Sequence, residues 1–511
     1  MIGANINTYL LEKVRLVHQG EGERNFHIFY ELLAAANDPE REMFHLGEYT
    51  ERDFKMTNQS GTYDRRDGVD DAKLYDSLLF SFGTMGFDQD IQKDIISVVA
   101  AFLHASNLTF TAPTEETSAV DDTNPHLDPV LKLLGLEKSA FNAAMTEYEI
   151  EVGNQSYTRQ FTVEGAENTL SSFIKGTYGS MFSFIVGTIN KQIDHKPKSG
   201  GGVVPKELGK AGSISVLDIF GFESFQLNSF EQLCINYCNE ALQQQFNLFI
   251  FKSEQEEYKK EGIAWDFIEF PDNMDVMEVI DKNRVGTLAI LTDQCRAPRG
   301  TDKTFIDAVY KQWGKHDRWL GTPLHQGKMQ FIINHYAGPV MYDATDFVEK
   351  NKDETPRGAS ALLESSSNLF VQLLGKISMH GNESAAGSGN RPKKRPTVGS
   401  QFSSQLTDLR ARIDATTPHY VRCLKPNQSL KAAEFHNAMI ADQLRYAGVL
   451  EAIRVSRVGY SQRYTKSNFI DRYRYIAPDA IKGIDDAKKV SALNSVVAKK
   501  MWEAENPKAT A

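Results

Sequence analysis

Cysteine is scarce in this chain. There are four in 511 residues: Cys234, Cys238, Cys295 and Cys423. Cys234 and Cys238 stand four apart on a helical pattern, and no histidine accompanies them at metal-ligand spacing. The sequence therefore offers no zinc module and no disulfide framework, and its thiols read as free and reduced, as in a reducing compartment. Long apolar runs are also missing. The stretch around Met181 to Ile189 falls far short of the roughly 20 residues a membrane span needs, and the polar opening Met1 to Asn7 is no secretory leader. Positive charge is in deficit, with a formal net charge of -10. The surface as a whole is thus not built for nucleic acid or anionic membrane, and attraction to an acidic partner must come from a local patch. The last absence is the phosphate-cradling motif G-x-x-x-x-G-K-[ST]. The Gly-Lys pairs are Gly209-Lys210, Gly314-Lys315, Gly327-Lys328 and Gly375-Lys376. None precedes Ser or Thr, and none has a glycine five residues earlier.

What is present is the composition of a large globular protein, 41% hydrophobic and 24% charged. The length predicts two to four packed subdomains. Three stretches read as exposed connections: Thr111 to Asn124, His195 to Gly212 with its Gly200-Gly201-Gly202 run, and the Gly/Ser-rich Gly381 to Gly399. Between them the pattern is mainly helical. Asp88 to His104 starts acidic and presents Ile91, Ile95, Val98 and Phe102 on one face. Ala166 to Asn190 is a second long helix. Short strands are expected at Ile214 to Ile219, Met329 to Asn334 and Tyr420 to Leu424. The fold class is mixed α/β, dominated by helix.

The longest helix starts after Asn228-Ser229, which offer an N-cap with Glu231 and Gln232 three residues on. Its apolar stripe runs from Phe230 through Leu233, Tyr237 and Ala241 to Ile250, and its charged end stops at Gly262. About 33 residues at 1.5 Å each give roughly 50 Å. Such a helix is either a long core element or a link between two distant parts of the molecule.

The segment before it ends an apolar stretch in Asp218, followed three residues later by Gly221 and then by Glu223. A strand-end aspartate can orient magnesium through a water, and a glycine lets backbone N–H approach a terminal phosphate. A D-x-x-G of this kind is also what a buried aspartate capping a loop produces. Farther on, Arg391, Lys393, Lys394 and Arg395 put four cations into five residues of a flexible loop. They suit a negatively charged partner or simply a solvated loop.

Taken together, several segments resemble the myosin motor head in order and spacing. Leu217-Asp-Ile-Phe-Gly-Phe-Glu223 is similar to the switch II loop, and the helix after it to the relay helix. Gly286 to Phe305 resembles the helix-loop-helix of the lower actin-binding subdomain. Phe331-Ile-Ile-Asn-His-Tyr-Ala-Gly-Pro-Val-Met-Tyr342 resembles the strand carrying H-Y-A-G. Pro418 to Asn427 and Leu444 to Arg454 resemble the segments leading to the converter. The similarity runs from about Gly3 to about Ile476.

The resemblance implies a partial P-loop NTPase-type motor fold with an incomplete central sheet, since Ile2 to Lys13 resembles the segment just after switch I. It implies an upper actin-binding region over 1–212, with loops near 111–124 and 195–212. Switch II, the relay helix and the lower subdomain would occupy 213–380, and a basic actin-binding loop 381–399. The last core strand and the helices leading to the converter would fill 400–476, and a truncated converter or divergent tail 477–511. The implied function is an actin-based, ATP-driven cytoskeletal motor in cytoplasm, using ATP and Mg2+. The alternative is a degenerate actin-binding module without ATPase activity. Asp218 would orient the magnesium shell, Gly221 would donate its N–H to the terminal phosphate, and Glu223 would pair with an arginine of switch I. Arg391, Lys393, Lys394 and Arg395 would meet the acidic actin filament. Gln155 or Ser156 would hold the regulatory position of an upper actin-contacting loop, the alignment leaving both open. Where relatives often carry reactive cysteines this chain has Tyr446 and Ser456. No light-chain- or calmodulin-binding neck is visible after Ile476. Without a phosphate loop the fragment is expected to hydrolyse no ATP and to fold marginally.

Overall fold

The computed structural model describes residues 3–9, 11–65, 67–152, 155–194, 212–260, 272–352, 357–383, 396–429, 431–450, 453 and 464–505. The chain divides into two units, one comprising Met1–Gln243 with Asn273–Ala447, the other Gln244–Asp272 with Gly448–Ala511. The described elements are mostly helical, with short antiparallel hairpins among them. Among the described residues no helix is long and apolar enough to cross a membrane.

The first unit contains two hydrophobic cores. One is organised around the helix Gln89–Ala105, every residue of which is buried from Ile95 onward. Asp88 starts it by accepting the Ile91 N–H at 2.8 Å, and so satisfies one of the orphan donors of the first turn. Phe102 meets Tyr178 of the helix Val163–Ile193 at 6.3 Å, a tilted aromatic contact that adds to area burial. The helices Arg357–Glu364 and Leu369–Glu383 close the same core with Leu362, Leu363, Phe370 and Val371. They are pinned across the sequence by Ser366, whose hydroxyl donates to the Leu134 carbonyl, and by Asn368 on Asp94.

The second core collects Phe230, Leu233, Tyr237 and Ala241 from the helix Phe230–Lys260. Around them lie the helices Met274–Asp281, Thr287–Arg296, Asp302–Trp313 and Val398–Asp414. Its centre is a hairpin of β5 (Gln330–His335) and β6 (Gly338–Asp343), where Trp319, Phe331 and Tyr342 stack at 5.3 Å intervals. The turn Tyr336-Ala337 is closed by Gly338 at φ 124°, a backbone that side-chain-bearing residues avoid. The strand begins one residue later than expected because Met329 takes a left-handed backbone, φ 62°.

Two further hairpins lie toward the start of the chain. Strands β1 (Phe110–Thr114) and β2 (Thr117–Val120) form where a loop was expected. β-branched threonines fit a pleated surface, and the alternate burial of Ser118 and Val120 supplies the inward face. Strands β3 (Glu147–Val152) and β4 (Gln155–Gln160) pair in register from Glu147↔Gln160 to Val152↔Gln155.

The other two expected strands are not strands here. Ile214 to Ile219 and Tyr420 to Leu424 have no regular secondary structure, and among the described residues no strand pairs with them. Ile214 is 98%, Val216 93% and Val421 88% exposed. A strand needs a neighbour's N–H and C=O, and alternation of apolar residues cannot provide one.

In the second unit Thr465 caps the helix Lys466–Tyr473 through the Asn468 N–H, and Phe469 and Tyr464 pack on Tyr473. The helix Asp486–Glu505 buries Leu493.

Candidate functional site

The residues singled out by spacing, Asp218, Gly221 and Glu223, lie on an irregular stretch that bends at Gln226 and Leu227 into the helix Phe230–Lys260. Asp218 is exposed and makes no hydrogen bond or ion pair among the described residues. A buried aspartate capping its own loop is therefore not what the structure contains. A Cβ built on Gly221 would meet nothing within 4 Å, and its φ lies outside the left-handed region. Nothing in the fold of the chain itself asks for glycine there.

The far side of the same bend is tied down. Phe222 is buried between His335, Tyr336 and Tyr446, with ring centroids 5.4 to 5.5 Å away. Asn236, fully buried on the helix, holds the Glu223 backbone twice: its Oδ1 accepts the Glu223 N–H at 2.8 Å, and its Nδ2 donates to the Glu223 carbonyl at 2.7 Å. One turn on, the Asn239 amide donates to the Phe220 carbonyl at 3.0 Å. Helix and bend are thus joined by side-chain-to-backbone hydrogen bonds that a register shift of either would break.

The Glu223 carboxylate is half-buried and accepts the Gln232 amide at 3.3 Å. Burial raises its pKa, the Gln232 hydrogen bond opposes that rise, Glu12 and Glu23 reinforce it, and Arg15 opposes it. Arg15 is itself committed, at 2.9 Å to Glu12 and 3.2 Å to Glu23. The capping pair also sorts itself out. Gln232 accepts the Ser229 N–H, whereas Asn228 bonds to Phe225 and to the Met341 carbonyl of β6.

Among the described residues no group of three or more His, Cys, Asp or Glu could hold a metal ion. Magnesium asks for less than such a cage, usually one or two carboxylates completed by phosphate oxygens and water. The free, exposed Asp218 carboxylate fits that habit as a single oxygen donor.

Of the residues expected to meet a filament, Gln155 and Ser156 begin β4, paired with Val152 and Glu151 near the hairpin tip. Arg391, Lys393, Lys394 and Arg395 lie outside the described residues, as does Ser456. The anchor that follows them is described. Thr397 caps the helix Val398–Asp414, and the Gly399 N–H donates to the buried Asn351 at 2.8 Å. Tyr446 packs on Phe222, and its carbonyl accepts the Tyr336 hydroxyl. Cys234 is buried, Cys238 and Cys295 are half-buried, and Cys423 is exposed, all free.

Sequence reading missed Asn236, Asn239, His335, Tyr342 and Glu240. For Asn236, Asn239 and Glu240 the available signal was polar residues among the apolar positions of the long helix, where an unpartnered amide would be costly; for His335 and Tyr342, which lie on β5 and β6, spacing gave none.

The family model of the myosin head (motor domain) matches residues 1–509. The chain is 38% identical over 475 residues to the myosin-I heavy chain of Dictyostelium discoideum, covering 92% of this chain and 19% of that protein. Against the unconventional myosin-Vc of Homo sapiens it is 37% identical over 501 residues, 96% of this chain and 28% of that one. Against the myosin IA heavy chain of Dictyostelium discoideum it is 35% identical over 516 residues, 94% and 51% respectively. The chain spans between 19% and 51% of the length of these relatives. Matched over nearly all of its residues, the chain belongs to the myosin head (motor domain) family.

Proposed function

We propose that this chain works in an actin-based, ATP-driven motor, with Asp218, Gly221 and Glu223 as its phosphate-sensing bend. The observation that carries the reading is the asymmetry of that bend. Its outward side, Asp218 and Gly221, is bare, and its inward side is bonded to the helix Phe230–Lys260 through Asn236 and Asn239. A glycine that the fold itself does not require suits a ligand that approaches the backbone closely. Asp218 would hold a magnesium-bound water, and the Gly221 N–H would meet the terminal phosphate. Magnesium, when bound with the nucleotide, neutralises phosphate charge. Glu223 would complete the closure by pairing with an arginine. Loss of the terminal phosphate would release the bend, and the asparagine bonds would pass that movement to the helix.

Ile214 to Ile219 and Tyr420 to Leu424 would join a central sheet once neighbouring strands are supplied, because both carry exposed apolar residues and among the described residues no strand pairs with them. The basic stretch Arg391 to Arg395 would steer the chain to actin, with Gln155 or Ser156 contributing from the tip of the β3–β4 hairpin. Residues 1–212, 213–380, 381–399, 400–476 and 477–511 would serve as upper region, switch and lower region, basic loop, approach to the converter, and converter or tail.

Residues 1–511 contain no phosphate-cradling motif, so the purified chain should release no phosphate from MgATP, with or without actin filaments. Actin-stimulated turnover by residues 1–511 would overturn this part of the reading. Placed in one chain behind a phosphate loop and switch I, the same residues should hydrolyse ATP. There Asp218→Ala and Gly221→Ala should each lower kcat at least about 100-fold. Filament binding with no turnover from that longer chain would leave an actin-binding module instead.

A further inference from the structure

Behind the bend runs a buried chain of polar groups of which the roles above use only Asn236. Asn236, which holds Glu223, spends its remaining amide hydrogen on the Tyr342 hydroxyl at 2.9 Å. That hydroxyl lies 2.9 Å from His335 Nε2, and His335 Nδ1 lies 2.9 Å from Glu240 Oε2. The Glu240 carboxylate also receives the Tyr336 N–H at 3.3 Å and the Asn273 amide at 2.5 Å. Asn236, Glu240, His335 and Tyr342 are all buried, three of them completely.

Counting donors fixes the protons. Asn236 donates into Tyr342, so the phenol must donate onward or leave its own hydrogen buried without an acceptor. Among the described residues its one hydrogen-bonded acceptor is His335 Nε2. The imidazole must then carry its hydrogen on Nδ1, where the Glu240 carboxylate takes it. Any arrangement with a hydrogen on Nε2, including the imidazolium, gives Tyr342 two incoming donors and an orphaned O–H. Burial, which raises the pKa of Tyr342, keeps that proton on the phenol. A carboxylate that orients a histidine, which orients a hydroxyl, is a way to set the direction of a hydrogen-bond chain.

We propose that Tyr342 and His335 are positioning residues for the Asp218–Glu223 bend. With His335 held as the Nδ1–H tautomer by Glu240, Tyr342 fixes the Asn236 amide in the one orientation that can clamp both backbone groups of Glu223. The proposal rests on reading that bend as the phosphate sensor, but its geometry can be tested without turnover. β5 and β6 then serve the bend directly: His335, beside the turn, and Tyr342, toward the far end of β6, hold it from behind.

The test is Tyr342→Phe in residues 1–511, which removes one oxygen and keeps the ring. Amide hydrogen exchange read at single-residue resolution should show the Glu223 N–H exchanging about tenfold faster, with the Ile333 amide of the hairpin ladder unchanged. Phe305→Leu, a packing change in the same core, controls for general loosening and should not single out Glu223. Nitrogen-15 spectra of the imidazoles should place the hydrogen of His335 on Nδ1 in the unsubstituted chain. An unchanged Glu223 exchange rate, equal acceleration by Phe305→Leu, or a hydrogen on Nε2 would each overturn the proposal. In a longer chain that hydrolyses ATP, Tyr342→Phe should lower kcat about tenfold and leave KM within twofold. If that longer chain shows no turnover before substitution, the phosphate-sensor reading fails, while the exchange data still decide whether Tyr342 positions Glu223.

Discussion

Ile214 to Ile219 and Gln330 to His335 are built from the same material, short alternations of β-branched and apolar residues, and they end in opposite states. Phe331 and Ile333 are fully buried, whereas Ile214 and Val216 stand almost wholly in solvent. The hairpin carries its own partner. Gly338 turns the chain so that β6 lies against β5, and the paired strands offer one inward face to the second core. The segment before Asp218 finds no backbone beside it among the described residues. Alternation therefore marks a candidate strand, and a neighbour decides whether it becomes one and joins a core.

The largest expected effect comes from truncating equivalent positions in the two. Phe331→Ala removes a ring stacked between Trp319 and Tyr342 and should cost about 3–5 kcal/mol. Ile214→Ala should stay within about 0.5 kcal/mol, as exposed substitutions do. Urea unfolding of residues 1–511 measures both. A loss at Ile214 approaching that at Phe331 would mean that something covers the segment in solution, and the contrast would fail.

Regions closed on themselves must also accommodate the polar groups they bury, and here the two cores differ. The second core sets His335 against a carboxylate. The first sets His104 against His126, Nδ1 to Nδ1 at 2.9 Å, with His104 Nε2 at 3.2 Å from the Phe44 carbonyl. That carbonyl can only accept, so His104 Nε2 carries the hydrogen, and His104 Nδ1 accepts from His126. Burial lowers the pKa of His104 to about 4, the Phe44 carbonyl opposing and the nearby His126 and His45 adding to the fall. The unfolded chain binds this proton below about 6.5 while the folded chain does not until about 4. Stability from this group is thus fully present above 6.5 and lost as pH falls toward 4, on the order of 2–3 kcal/mol. Thermal melts between pH 7.5 and 4.5 should show that decline, and His104→Gln should flatten it. An equal slope in the variant would assign the acid sensitivity elsewhere.

Much of this was legible in residues alone, and the limits have physical causes. The helix Gln89–Ala105 was readable from Asp88 and the Ile91, Ile95, Val98 and Phe102 stripe, because capping and periodicity are local. The bend Asp218–Glu223 was readable as a motif. Its fastening was not, since Asn236 meets Tyr342 across 106 residues and spacing says nothing about such a meeting. Thr111 to Asn124 looked like a loop because its polar, charged tip outweighed the β-branched residues on either side. Ile214 to Ile219 failed in the opposite sense, an apolar pattern without a partner.

The smallest test asks whether local closure, the kind a sequence displays most openly, is itself worth anything to the closed region. Helix ends share the strand's difficulty, because their first N–H groups have no partner within the element. At Gln89–Ala105 the solution is one residue away, with Asp88 accepting the Ile91 N–H. Asp88→Ala should therefore cost about 1 kcal/mol. Asp88→Asn keeps an oxygen for the cap and loses only the favourable charge at the helix N-terminus, so it should cost a few tenths, about 0.3–1 kcal/mol at low ionic strength and less in added salt. Urea midpoints at low and high salt separate the two contributions. If alanine and asparagine prove equally damaging at both salts, the hydrogen bond contributes nothing and the helix start is held by the packing of Ile91 and Ile95 alone. The first core would then be closed by its neighbours, as the hairpin is, and the distinction between a self-partnered element and a bare one would rest on tertiary contacts throughout.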